Sequence, residues 1–122
     1  MKEKQGWKVS ELSFRQQKLI FEWTKSFPKE ELYSLTSQVR RSSRSVYSAL
    51  AEAYRKTMYP QHLLLKLSDA DSENSETNSW IDVAVSCGYS TEEEIMEIRD
   101  LNQQIGKLLN YMNENHEQFR FR

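Results

Sequence analysis

This chain of 122 residues is long enough for one domain, and its composition excludes several classes of protein. Only three Gly and two Pro are present, too few for the turns that an all-β fold places about every 8–12 residues. The one Cys excludes an internal disulfide and a CxxC metal knuckle, and 17 basic against 18 acidic side chains leave a net charge of −1. These features predict an all-α protein.

No part of the sequence has the pattern of a targeting or membrane segment. The first residues, MKEKQGWK, lack the apolar run of a signal peptide, and no apolar run approaches the roughly 20 residues of a membrane span. A lone thiol fits a reducing compartment. We therefore expect a cytoplasmic protein that does not contact a membrane.

The first predicted helix covers residues 9–27. Apolar side chains recur there at three- and four-residue spacing, with an interruption at Gln16. This stripe comprises Val9, Leu12, Leu19, Ile20, Trp23 and Phe27. Pro28 should end the helix, because the residue before a proline avoids the α region.

The second predicted helix begins at about Lys29 or at about Ser34 and ends at about Thr57, which gives residues 29–57 at its longest. Small side chains crowd its inner stripe. The stripe comprises Leu35, Val39, Ser42, Val46, Leu50, Ala53 and Thr57. Small side chains let helix axes approach closely, either inside the bundle or between subunits.

The third predicted helix covers residues 60–87 and opens with Pro60, a favourable first helical residue. Its seam has the 4-3-4-3 spacing of a heptad, with a polar middle. The seam comprises Leu63, Leu67, Ala70, Asn74, Thr77, Ile81 and Ala84. Gly88 follows and suits a left-handed C-cap.

The fourth predicted helix covers residues 91–115 and opens with a capping box, in which Thr91 and Glu94 bond reciprocally. Its stripe comprises Ile95, Ile98, Leu101, Ile105, Leu108 and Met112. Residues 116–122 should be frayed. Four amphipathic helices with short connections predict a single domain over residues 1–122, an antiparallel up-down-up-down four-helix bundle.

Charge is divided unevenly along the chain. Residues 1–66 contain 13 Lys and Arg and 6 Asp and Glu, a net +7, whereas residues 67–122 contain 4 and 12, a net −8. One interpretation is a basic hairpin that packs beside an acidic one through ion pairs. The alternative is a basic face that is open to phosphate.

Specific residues support each interpretation. A possible interhelical salt-bridge network comprises Arg40, Arg41, Arg44, Glu52, Asp69, Glu73 and Glu76. A possible nucleic-acid contact comprises Arg40, Arg41, Arg44, Arg55 and Lys56. Tyr47 and Tyr54 lie two turns apart on one face and form a possible subunit interface, with base stacking as the alternative.

The sequence contains no recognisable catalytic, cofactor or metal motif. Its glycines are scattered, so neither a P-loop nor a dinucleotide-binding turn is present. His62 and His116 lack a partner at metal-site spacing, and Cys87 has no activating neighbour. We expect a non-enzymatic protein without a cofactor, a metal or a small-molecule substrate.

Several runs resemble the bacterial four-helix-bundle proteins of the 23S ribosomal RNA intervening-sequence family. They are KSFPKEE at 25–31, YSLTSQVRRSSRSV at 33–46, AEAYRK at 51–56, YP at 59–60, KLSDADSENSET at 66–77, Trp80, and CGY at 87–89. The resemblance extends from about residue 9 to about residue 115. The chain departs from the usual Asn-Ile-Ala-Glu pattern at Ala49-Leu50-Ala51-Glu52, so any polar role of that asparagine is absent here.

The resemblance implies a bundle that assembles into a ring-shaped homopentamer of unsettled function. Family members are encoded within insertions in ribosomal RNA genes or elsewhere in bacterial genomes, and distant relatives that assist reverse transcriptases bind nucleic acid. The leading hypothesis is a homo-oligomeric scaffold whose basic second helix contacts RNA or DNA. The alternative is a protein–protein adaptor without a nucleic-acid role, whose acidic third and fourth helices form the docking face.

Overall fold

Four long helices make up the computed structural model, which describes residues 7–120. They are α1 (Lys8–Thr24), α2 (Leu35–Arg55), α3 (Pro60–Ser86) and α4 (Met96–Glu114). Each helix packs against the next and α4 packs against α1, whereas within the described residues the two diagonal pairs bring no Cα atoms within 8 Å. The predicted all-α, antiparallel four-helix bundle is confirmed.

The inner stripes of α2 and α3 are buried as predicted. All seven seam residues of α3 are buried, because a strict heptad keeps one face of a helix against its neighbours. On α1 the prediction was partly wrong, since Gln16 is fully buried and belongs to the stripe that it was expected to interrupt. On α4 the predicted stripe included Leu108, but Leu108 is half-buried and the neighbouring Leu109 is the one that is buried.

Two helix ends differ from their predicted positions, and one agrees with the second of its two predicted positions. α1 ends at Thr24 and not at Phe27, although the Phe27 side chain remains buried in the following turn. α2 begins at Leu35, next to the predicted start at Ser34, because Lys29–Glu31 form a separate 3₁₀ turn. α4 begins at Met96, one turn after the capping box, whose two hydrogen bonds close the preceding turn.

The sequence predicted a frayed tail, but the last described residues form a turn that packs against the bundle. His116–Phe119 form a 3₁₀ turn, and the Phe119 ring lies edge-to-face against Trp7 with ring centroids 6.2 Å apart. The Arg120 guanidinium donates to the carbonyls of Thr57 and Met58. The ring thus attaches this segment to the start of α1, and the cation attaches it to the turn after α2. Residues 121 and 122 lie outside the described part.

The bundle core has apolar clusters on both sides of a polar layer, and a smaller cluster of Phe27, Leu35 and Ala84 lies at the end near the α1–α2 connection. The cluster on one side of the layer centres on Leu50, Leu67 and Ile105, and the cluster on the other side centres on Ile20 and Ile81. Every helix contributes to the layer between them, which comprises Gln16, Ser42, Asn74, Thr77 and Asn102. No helix in the described part of the chain is long and apolar enough to cross a membrane.

The α1–α2 and α3–α4 connections lie at the same end of the bundle and are bonded to other parts of the chain. The Trp23 indole N–H donates to the Ser90 hydroxyl at 2.6 Å. The Tyr89 hydroxyl donates to Glu31 at 2.7 Å, and this hydrogen bond raises the pKa of Tyr89 to about 12. Gly88 has a φ of 79°, the left-handed cap that its position predicted.

Candidate nucleic-acid interface

Three of the predicted contact residues share the outer face of α2. Arg40 and Arg44 are one turn apart, and Arg55 lies 11 residues beyond Arg44, which is three full turns. Arg44 and Arg55 are exposed, and Arg40 is half-buried. This face therefore presents a row of guanidinium groups to solvent over most of the helix.

Arg40 and Arg44 gather around the ring of Phe21 on α1. Their guanidinium carbons lie 4.7 and 5.6 Å from the ring centroid, and the Lys25 ammonium lies 4.9 Å from it. The Arg40 Nε–H also donates to the Thr24 hydroxyl at 2.7 Å, which fixes the orientation of the guanidinium. Neither arginine has a carboxylate within 4.0 Å among residues 7–120.

Arg41 lies about 100° further around the helix axis than Arg40 and forms its ion pairs with α3. It pairs with Glu73 at 3.3 Å and with Glu76. The Trp80 indole N–H donates to Glu76 at 3.0 Å, and this bond together with Arg41 lowers the pKa of the Glu76 carboxyl. Partial burial acts to lower the pKa of Arg41, but the two carboxylates outweigh it and raise that pKa overall.

A second group of ion pairs lies further along the α2–α3 contact. The Lys66 ammonium lies 2.8 Å from Glu52 and 3.8 Å from Asp69. The structure thus brings five residues of the predicted salt-bridge network into two separate groups. The cation of the second group is Lys66, which was not part of the predicted network. Arg40 and Arg44 are absent from both, because their positions on α2 turn them toward α1.

The two tyrosines predicted at a subunit interface have different surroundings. Tyr54 is half-buried and its ring packs edge-to-face on Trp7, with centroids 5.2 Å apart. Tyr47 is 40% exposed and packs on Phe14 of α1, also with centroids 5.2 Å apart. The Tyr54 ring therefore contacts mainly its own chain, whereas 40% of Tyr47 is exposed and can contact another molecule.

The remaining predicted contact residues lie at the end of α2. Arg55 is its last residue and Lys56 caps it, half-buried. Neither forms an ion pair in the stretch that the structure describes. A shallow groove at the other end of this surface is also reached by Arg41, and Tyr33 beside it is 91% exposed. The groove is lined by Leu32, Tyr33, Ser37, Arg40, Arg41, Arg44, Ser45 and Ser48.

The sequence did not predict three features of the structure, which lie on this surface, at the α3–α4 contact and in the core. The rings of Phe14 and Phe21 lie seven residues apart on α1, and that spacing could have placed them on one face beside α2. Arg99 bridges Asp82 at 2.7 Å and Glu92 at 2.8 Å, an arrangement that only the α3–α4 packing determines. Gln16 was missed because a single polar residue within an apolar stripe is usually exposed.

His62 and Cys87, which the sequence analysis weighed as a metal ligand and a nucleophile, both lie on the surface. His62 lies on the surface near the Tyr59 ring, and Cys87 is exposed at the end of α3. Within residues 7–120, no group of three or more His, Cys, Asp and Glu side chains is placed to hold a metal ion.

Comparisons with known proteins agree on the family and the fold. The sequence model of the family described as 23S rRNA-intervening sequence protein matches residues 5–111. No curated protein matches the chain. A crystal structure from Bacteroides thetaiotaomicron VPI-5482, described as a protein with unknown function from the S23 ribosomal protein family, is similar with a TM-score of 0.78 and 23% sequence identity.

That alignment covers 93% of this chain and 99% of the Bacteroides chain, so the two bundles correspond over nearly their whole length. At this identity the likeness establishes the fold alone. The family match, in contrast, spans most of the sequence. This chain belongs to the 23S rRNA-intervening sequence protein family.

Proposed function

We propose that this protein is a non-enzymatic homo-oligomer of the bacterial cytoplasm, ring-shaped and pentameric, that binds RNA or DNA through the basic outer face of α2. The observation that carries this proposal is the gathering of Arg40 and Arg44 around Phe21 without a carboxylate partner among residues 7–120. Positive charges held close together repel one another, and a phosphate placed between them relieves the repulsion.

The arrangement of the row suits an extended polyanion. Arg44 and Arg55 are about 16 Å apart along the helix axis at 1.5 Å per residue. This length corresponds to several phosphates of a nucleic-acid strand, which follow one another at about 3.4 Å along a duplex. The acidic side chains of α3 lie across the α2–α3 contact, where Arg41 and Lys66 partly neutralise them.

Exposed apolar side chains support self-association. The large ones outside the α1–α2 face are Met58, Tyr59, Leu65, Val83, Met96 and Tyr111. A subunit contact would remove part of this surface from water. The subunit number of five comes from the family resemblance, and the mass in solution by light scattering tests it. A monomeric mass would contradict self-association, and another whole-number multiple would correct the subunit number.

One observation favours the alternative of a protein adaptor. Met96 is 63% exposed at the start of α4, and acidic side chains surround it in sequence at Glu92, Glu93, Glu97 and Asp100. An apolar side chain with an acidic rim suits a basic, amphipathic partner segment. This surface lies on the acidic half of the chain, so both functions are compatible with one bundle.

Binding of fluorescent RNA and duplex DNA, measured by anisotropy over a salt series, tests the nucleic-acid role. Arg40→Gln and Arg44→Gln should each weaken binding, and each lost phosphate contact should reduce the slope of log K against log salt by about 0.7–0.9. Arg15→Gln is the matched control, because Arg15 is an exposed arginine that pairs with Glu97 on the α1–α4 side. Its binding should match that of the unchanged protein.

Arg44→Lys separates charge from structure, since it keeps the positive charge at the same position. It should retain most of the binding that Arg44→Gln loses, while all variants keep the helical circular dichroism spectrum. An unchanged oligomer that shows no salt-dependent binding would contradict the proposal. Equal losses for Arg15→Gln and Arg44→Gln would also contradict it, because they would indicate only an effect of net charge.

A further inference from the structure

The α1–α2 surface carries alternating cations and aromatic rings, which we call the cation–aromatic strip. Its members are Phe14, Lys18, Phe21, Arg40, Arg44 and Tyr47. Phe14, Lys18 and Phe21 follow one another at four- and three-residue spacing on α1, so they share one face. No member of the strip is a carboxylate, and its three cations have none within 4.0 Å in the described part of the chain. The adjacent Lys25, which also lies over the Phe21 ring, pairs with Glu22 at 3.2 Å.

The two rings at one end of the strip are exposed to solvent. Phe14 is 51% exposed and Tyr47 is 40% exposed, although both are large apolar groups. Their planes meet at 60° in an edge-to-face contact, so the edge of one ring lies against one face of the other, and the exposed area of each ring lies away from this contact. Exposed ring faces next to cations are the arrangement with which proteins stack unpaired bases while they hold the phosphates on either side.

From this geometry, and resting on the proposed nucleic-acid role, we infer that the strip binds single-stranded RNA or DNA in preference to duplex. An unpaired base stacks on the Phe14–Tyr47 pair, and neighbouring phosphates lie against Arg44, Arg40 and Lys18. A duplex can offer the same phosphates, but its bases are already stacked on one another and their faces are unavailable. The aromatic pair therefore adds affinity only for the single strand.

The strip has a length that suits a short segment of strand. Phe14 and Phe21 are about 10 Å apart along α1 at 1.5 Å per residue. The Arg40 guanidinium is held by the Thr24 hydroxyl at 2.7 Å, so the far end of the strip is positioned before a ligand arrives. A base at the Phe14 end and a phosphate at the Arg40 end thus fit within two or three nucleotides.

The test compares a fluorescent oligouridylate, an oligothymidylate and a duplex of equal length by anisotropy. The unchanged protein should bind both single strands more tightly than the duplex, and the two single-strand arms distinguish RNA from DNA as the preferred ligand. Phe14→Leu and Tyr47→Leu, which keep apolar bulk, should each weaken single-strand binding by about tenfold or more and leave duplex binding unchanged.

His62→Leu is the matched control, because His62 carries an exposed ring on α3, outside both the strip and the apolar surface proposed for self-association. It should bind both forms as the unchanged protein does. Equal affinity for single strand and duplex would overturn the inference, and so would equal losses for both ligands in the Phe14 and Tyr47 variants.

The outcomes separate this inference from the proposed function. Loss of binding in Arg44→Gln without any loss in Tyr47→Leu would overturn the stacking role and leave the phosphate contact intact. A fall in oligomer mass on Tyr47→Leu, measured by light scattering, would also overturn it, because a second copy of the chain would then occupy the strip.

Discussion

Neighbouring residues on α2 contact different helices because each residue turns by about 100° around the axis. Arg40 donates to Thr24 of α1, whereas Arg41 pairs with Glu73 and Glu76 of α3. Glu76 in turn accepts from the Trp80 indole. Arg41 thus pairs with two carboxylates, whereas its neighbour Arg40 has no carboxylate within 4.0 Å among residues 7–120.

The Glu76 carboxyl should make stability sensitive to acid. Its pKa is lower in the folded chain than the ordinary value of 4.5, so its contribution is fully present above that value and is lost as pH falls through the folded pKa. Glu76→Gln should therefore unfold more easily in urea at neutral pH and lose less stability between neutral pH and pH 3 than the unchanged protein.

Glu114→Gln on α4 is the control, since Glu114 is exposed and forms no ion pair within the described stretch. Its urea midpoint should follow that of the unchanged protein at every pH. A parallel pH dependence for Glu76→Gln and the unchanged protein would contradict the role of this carboxyl in acid sensitivity.

The helices pack closely because small residues occupy their contacts. Ser42, Ala49 and Ala53 lie on the buried face of α2, and Gly106 of α4 faces Asn74 of α3. A Cβ added at Gly106 would lie 3.5 Å from the Asn74 Nδ2 atom, which is an ordinary contact distance. The space between α3 and α4 at this position therefore admits a Cβ, and Asn74 does not require a glycine opposite it.

Two glycine substitutions should act in opposite directions. Gly106→Ala should raise the free energy of unfolding by about 0.5–1 kcal/mol, because alanine loses less backbone entropy in a helix interior. Gly88→Ala should lower it by about 1–2 kcal/mol, because the left-handed φ of 79° strains any residue with a Cβ. Urea unfolding measures both, and destabilisation by Gly106→Ala would indicate a closer α3–α4 approach.

Three of the four helices are joined at the centre of the bundle by three buried amides. The Gln16 amide N–H donates to the Asn74 side-chain oxygen at 3.3 Å, and the Asn102 amide donates to Gln16 at 3.1 Å and Asn74 at 3.2 Å. The Asn74 amide donates to the Asn102 backbone carbonyl at 3.0 Å. These bonds connect α1, α3 and α4, including the α1–α3 diagonal, and specify how the three helices align along their axes.

Breaking this amide cluster should cost more than removing it entirely. Asn74→Ala leaves polar groups of Gln16 and Asn102 buried without their partner, and it should lower the free energy of unfolding by about 2–4 kcal/mol. The combined change of Gln16, Asn74 and Asn102 to Leu should restore most of that stability, because no buried amide is left unpaired. A combined variant as unstable as Asn74→Ala would contradict this account.

Much of the architecture was determined by the sequence alone. The heptad seam of α3 and the apolar spacing of α2 predicted their buried faces, because both helices are packed on one face and the pattern records that face. The capping box and Gly88 marked the α3–α4 connection, since their hydrogen bonds and backbone angles are local properties. Helical period, caps and short connections were sufficient for an antiparallel bundle.

The tertiary structure alone decided which residues meet between helices. Spacing gives the relative angles of side chains on one helix, but the rotation of that helix about its axis depends on the packing of all four. For this reason Gln16 proved to be buried, and Arg40 and Arg44 meet Phe21 while Arg41 meets the acidic residues of α3. The pairing of Phe14 with Tyr47 likewise follows from the register of α1 against α2, which no local pattern encodes.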